Sequence, residues 1–154
     1  MSELADKIEE LKRIQEGEAW HGPALSELLS DVTAEQALAK PIPGAHSIWE
    51  LVLHIIGWGN VFCRRLQGQP LTEPPEGDFP QIPDRSQEAW NETVQRLARS
   101  HAELVNTVGS LSDSRLEENV GGKDYSLRFL ISGAIRHHVY HSGQIALLKK
   151  SFTG

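Results

Sequence analysis

Residues 67–83 read QGQPLTEPPEGDFPQIP and hold five of the eight prolines in the chain. Proline lacks the amide hydrogen that a helix or sheet interior needs, so this stretch is irregular backbone. It separates two segments with helical periodicity. Upstream, Ser47-Ile-Trp-Glu50 has the spacing of a capping box and opens a helix to about Leu66. Its first turns are apolar almost all round, from Ile48 through Trp58, as in a helix buried on most sides. Downstream, Asp84 is placed to cap a third long helix carrying Trp90, Val94, Leu97, His101, Leu104 and Val108 at three- and four-residue steps. A 20-residue helix is about 30 Å long, whereas seventeen extended residues reach about 55 Å. The connection can therefore return along a full helix length, which lets the second and third long helices run parallel.

Two more long segments complete the pattern. The first runs from about Ser2 to Ser30, interrupted at Gly22-Pro23, with a short helix following at Thr33-Ala-Glu-Gln36. The last starts near Ser126 and carries Leu127, Leu130, Ile131, Ala134, His141, Ile145 and Leu148, with Lys149 and Lys150 at its C-terminal end. No alternating strand pattern or internal repeat appears. The expected fold is all-α: one four-helix bundle over residues 1–154, up-down-down-up, with the proline-rich crossover between helices two and three.

Fifteen basic against twenty-one acidic residues give a net charge of −6, which argues against nucleic acid and anionic membrane as partners. No apolar run approaches the roughly 20 residues of a spanning helix, and MSELADKIEE lacks a signal-peptide core. Cys63 is the only cysteine and cannot form an internal disulfide. A cytoplasmic protein acting on a small molecule is the expectation.

Chemistry concentrates in RHHVYHSGQI, residues 136–145. His137 and His141 are one helical turn apart, the geometry that lets two imidazoles hold one metal. His141 sits mid-stripe among Leu127, Ala134 and Leu148, while His137 and His138 flank that line. Periodicity does not choose between them, because His138 and His141 are also a workable pair. His54 lies on the apolar second helix, on the side shared by Leu51, Trp58 and Val61. A buried imidazole needs a partner, and one metal would satisfy histidines from two facing helices at once. Three such ligands leave a coordination position open, the arrangement of catalytic rather than structural zinc.

Other residues are weaker candidates. His101 falls on the apolar stripe of the third helix and could be a fourth ligand or a hydrogen-bonded core histidine. Glu18-Ala-Trp-His21 has the E-x-x-H form found in di-iron bundles, but that class needs the element twice. Glu50, one turn before His54, could orient a ligand or act as base, as could Glu18 or His21. Gln144, one turn past His141, could hydrogen-bond beside the metal. Trp20, Trp49 and Trp58 could wall a pocket, and His46 falls at the surface or a pocket rim.

Three segments, AWHGPALSELL at 19–29, PIPGAHSIWELVLHIIGW at 41–58 and HHVYHSGQI at 137–145, resemble the DinB/YfiT-like superfamily of metal-binding four-helix bundles. The most specific element is a helix-two histidine followed some eighty residues later by H-x-x-x-H-x-G-Q-I. The resemblance implies a divalent metal, commonly zinc or nickel, held by His54, His137 and His141, with His138 outside the ligand set. It also implies homodimers, and activities described as metal-dependent hydrolysis or thiol-dependent transfer using a low-molecular-weight thiol. An open position on zinc lowers the pKa of bound water to about 7, or can bind a thiolate, and either chemistry fits.

Overall fold

The computed structural model describes residues 1–152, so the last two positions of the expected 1–154 domain lie outside the described residues. Those residues form six α-helices and no strand: α1 (Glu3–Gln15), α2 (Leu25–Leu29), α3 (Ala34–Leu38), α4 (Ile48–Leu66), α5 (Gln87–Gly109) and α6 (Leu127–Lys149). No helix among them is long and apolar enough to cross a membrane.

Local chemistry explains where the helices start. Each long helix opens on a serine whose hydroxyl accepts an otherwise unpaired amide: Ser2 from Ala5, Ser47 from Glu50, Ser86 from Ala89 and Ser126 from Phe129. The capping boxes at Thr33–Gln36 and Ser47–Glu50 are complete, with both reciprocal bonds made. The cap of α5 is Ser86 rather than Asp84. The Asp84 carboxylate instead accepts from the Ser86 amide at 2.9 Å, one step outside the helix.

The first helix stops far short of Gly22-Pro23. It ends at Gln15, and Glu16 turns extended. Gly17 follows at φ +115°, a conformation that side-chain-bearing residues avoid. Residues 16–24 are therefore irregular, Trp20 projects fully into solvent, and helix resumes only for the single turn of α2.

The four long helices pack around two apolar clusters. One gathers Trp49, Val52, Trp90, Leu97 and Ile145 with α2 and α3; the other gathers Leu11, Cys63, Leu104, Val108, Leu127 and Ile131. Each such side chain contributes about 1.5–3 kcal/mol on burial. Between the clusters the same helices carry histidine: His54 on α4, His101 on α5, and His137, His138 and His141 on α6. The molecule thus has a polar waist between two greasy ends.

Contacts order the helices. Along α4 and α5 the paired positions ascend together: Trp49 with Trp90, Gly59 with Ser100, and Cys63 with Thr107. Between α4 and α6 they run oppositely, His54 meeting His141 and Phe62 meeting His137. Lys7 bonds Ser132 and Glu3 pairs with Arg128, so α1 and α6 also ascend together.

Residues 67–83 contain no helix and lie along α4. Arg65 fixes their start, its guanidinium donating to the carbonyls of Leu71 (2.7 Å) and Thr72 (2.8 Å) and to the Tyr125 hydroxyl (3.1 Å). A Cβ added at Gly57 would come within 3.1 Å of Pro74, so the bare glycine admits the strap. Further on, the Phe79 ring stacks on His54 (4.4 Å between centroids) and on His46 (3.5 Å).

Candidate metal centre

His54 comes from the second turn of α4, and His137 and His141 from successive turns of α6 on the facing side. One nitrogen from each lies within 4.8 Å of the others, a group that could hold a metal ion. Ring centroids are 4.5–5.0 Å apart. The closest nitrogens are Nε2 of His54 and Nε2 of His137, at 3.0 Å. Tetrahedral ligands at about 2.0–2.1 Å from zinc stand roughly 3.3 Å from one another, close to the 3.0 Å between the His54 and His137 nitrogens.

The outer nitrogens of two rings are committed elsewhere. His54 Nδ1–H donates to the Asp78 carbonyl at 3.0 Å and lies 3.0 Å from its carboxylate. That carboxylate also accepts from the Trp58 indole at 2.7 Å. His141 Nδ1–H donates to Gln144 Oε1 at 2.5 Å. These bonds assign the protons to the Nδ1 atoms and leave both Nε2 lone pairs for the centre, the arrangement that orients metal-binding histidines.

The protonation states agree. Burial, then the neighbouring His141 and His54, pushes His137 down to about 3. Burial likewise lowers His141, only partly offset by the Gln144 bond. A ligand imidazole must be neutral, and both are neutral near pH 7 without help from the metal. The donor set therefore fits a divalent transition-metal ion.

The other histidines go elsewhere. His101 is buried, and its Nε2–H donates to the Leu11 carbonyl at 2.6 Å. His138 points to the same side, 5.0 Å from His101 between centroids, and its Nε2 has no partner among the described residues. Burial lowers His101 below the usual histidine value and pushes His138 down to about 3. His21 is exposed on the irregular stretch after α1, lining a different cleft with Glu18 and Trp20. His46 packs against Phe79 at the rim of the strap.

Glu50 does not line the centre. Its Oε2 accepts from the Ser47 amide at 2.7 Å and its Oε1 from Lys40 at 2.9 Å. Burial raises its pKa, but these bonds outweigh that and hold the carboxyl below the usual range. Cys63 is buried in the apolar cluster it shares with Leu11 and Leu104, and burial pushes its thiol up. Of the three tryptophans expected near a pocket, Trp58 reaches the centre, Trp49 is core and Trp20 is in solvent.

Asp78, Phe79, Tyr125, Phe129 and Tyr140 surround the triad without having been singled out from the sequence. The available signal was a carboxylate and an aromatic side by side, Asp78-Phe79, inside an otherwise proline-rich connection. Together with Trp58 and Phe62, the other three aromatics wall a cleft of ≈ 540 Å³ floored by the three histidines.

No curated protein and no solved structure matches the chain. The model of one family, the DinB superfamily, matches residues 19–145, a span that includes α4, the strap, most of α6 and all three inward histidines. On that match over most of its length, the chain belongs to the DinB superfamily.

Proposed function

We propose that this chain is a single-domain up-down-down-up four-helix bundle that holds one zinc or nickel ion through His54, His137 and His141, and that it is a metal-dependent enzyme of small-molecule chemistry. The ascending and opposed contact pairs support the topology. The observation that carries the metal reading is the convergence of three imidazoles, one ring nitrogen of each within 4.8 Å of the others. Two facing nitrogens at 3.0 Å are held together by one proton or by one shared cation. A proton serves that pair alone and leaves His141 Nε2 out, whereas a cation serves all three.

When bound, the ion would supply a Lewis acid whose open position takes water for hydrolysis or a low-molecular-weight thiol for transfer. The chain's own residues do the rest. Asp78 and Gln144 keep the His54 and His141 protons on Nδ1. Phe79 covers one face of His54, and the aromatic walls limit water around the open side. His101 is tied to Leu11, which supports a three-ligand rather than a closed four-ligand centre. Glu50 is tied into the α4 cap, and His21 is remote, so neither is assigned the base.

The test is metal content and turnover of protein purified without a polyhistidine tag. One divalent ion per chain is expected, and His141→Ala should lose it together with hydrolysis of generic esters or thiol transfer to an electrophile. Metal-free protein would instead support a hydrogen-bonded histidine core. Bound metal with no turnover of either kind would support a binding protein.

A further inference from the structure

We propose that the cleft over the histidine triad takes a small molecule bearing an uncharged, flat apolar ring. This names the ligand class for the site proposed above and rests on that reading for the reaction, though not for the binding. The cleft, ≈ 540 Å³, falls in the usual range for small-molecule sites. Its walls are Trp58, Phe62, Tyr125, Phe129 and Tyr140. Phe129 and Tyr140 remain 59% and 66% exposed, a costly arrangement for rings that face an empty wall but a useful one for rings that grip a ligand.

Helix α6 is shaped to leave room. Phe129, Gly133 and His137 lie one turn apart on one face, and Gly133 lacks the side chain that would fill the gap. A Cβ added there meets nothing within 4 Å, so the notch opens directly between the Phe129 ring and the triad.

Charge decides against an ionic ligand. Among the described residues no lysine or arginine lines the cleft. Arg65 lies behind Trp58, 5.8 Å from its ring centroid, with its donors spent on Leu71, Thr72 and Tyr125. An anion therefore finds no counter-charge in the protein and meets the Asp78 carboxylate at the rim. A cation would be drawn to the aromatic faces. Among the described residues, however, Asp78 is the one acid of the cleft, and its carboxylate already accepts from the Trp58 indole and faces His54 Nδ1.

Three probes with one ring and three charges test this: benzyl alcohol, benzoate and benzylammonium. Each is titrated into the full chain, zinc-stripped and zinc-loaded, while the Trp58 indole and Gly133 amide signals are followed by NMR. In the stripped chain benzyl alcohol should move both signals to saturation and bind at least tenfold more tightly than either ion. Gly133→Leu, which fills the notch and improves helix propensity, should abolish the shifts while zinc content stays at wild-type level. Equal or tighter binding of benzoate or benzylammonium, silence of both signals, or unchanged binding in Gly133→Leu would overturn the proposal. A chain that takes no zinc yet binds benzyl alcohol would sink the metal reading and leave the cleft reading standing.

Discussion

Asp78 does for His54 what no residue of α4 or α6 can do. It stands outside the bundle helices and reaches His54 Nδ1 through both its carbonyl and its carboxylate. Partners of this kind fix the ring and raise its basicity, and their loss costs about 10–100-fold in metal affinity. Asp78→Ala keeps the backbone carbonyl and loses the carboxylate, so it should weaken zinc binding by about tenfold, the lower end of that range, in a chelator competition. Asp78→Asn, which keeps an acceptor for Trp58 and His54, should fall between it and the native chain. Unchanged affinity in Asp78→Ala would remove the carboxylate from the centre. His137 and His141 were legible from their one-turn spacing. Excluding His138 took the family resemblance, because periodicity leaves His137 and His138 equivalent; the structure separates them by turning His138 toward His101. Asp78 was illegible because an aperiodic strap has no face to read.

Helix starts were written in short polar residues and helix ends were not. Ser47 and Glu50 form a box whose four-residue spacing is visible in the sequence, and both bonds are made. Ser47→Ala should cost about 1 kcal/mol in chemical denaturation. Glu50→Gln should cost less and leave zinc affinity unchanged, since its carboxylate serves the cap and Lys40 rather than the metal. Zinc loss in Glu50→Gln would restore the catalytic reading of that residue. The early end of α1 was missed because Gly22-Pro23 is the stronger local breaker, whereas the positive φ at Gly17 follows from how the chain leaves α1 toward α2. The strap's path was equally hidden. It depends on Arg65, Gly57 and Phe79, contacts between elements rather than a pattern within one.

At the scale of the molecule, the waist divides the core and makes stability depend on pH. His101 and, more strongly, His138 are held below the ordinary histidine value of about 6.5 by burial. The unfolded chain therefore binds the extra protons. Stability is full above about pH 6.5 and is lost as pH falls below it, down to about 3 for His138. Each such imidazole adds a slope of up to about 1.4 kcal/mol per pH unit. Urea midpoints of chelator-treated protein should drop between pH 7.5 and pH 5; a flat midpoint would mean these rings reach water. The all-helical class was readable from periodicity, because four apolar stripes need one another. That the stripes break at the same level to form a histidine layer was not, since each helix shows its own gap and only packing aligns them. The most direct measurement of the central claim is X-ray absorption at the metal edge of untagged, zinc-loaded protein. Three imidazole nitrogens plus one further light atom at about 2.0 Å are predicted, with the imidazole signal lost in His141→Ala. A spectrum with four imidazoles or with sulfur, or one unaltered by that substitution, would contradict the three-histidine centre.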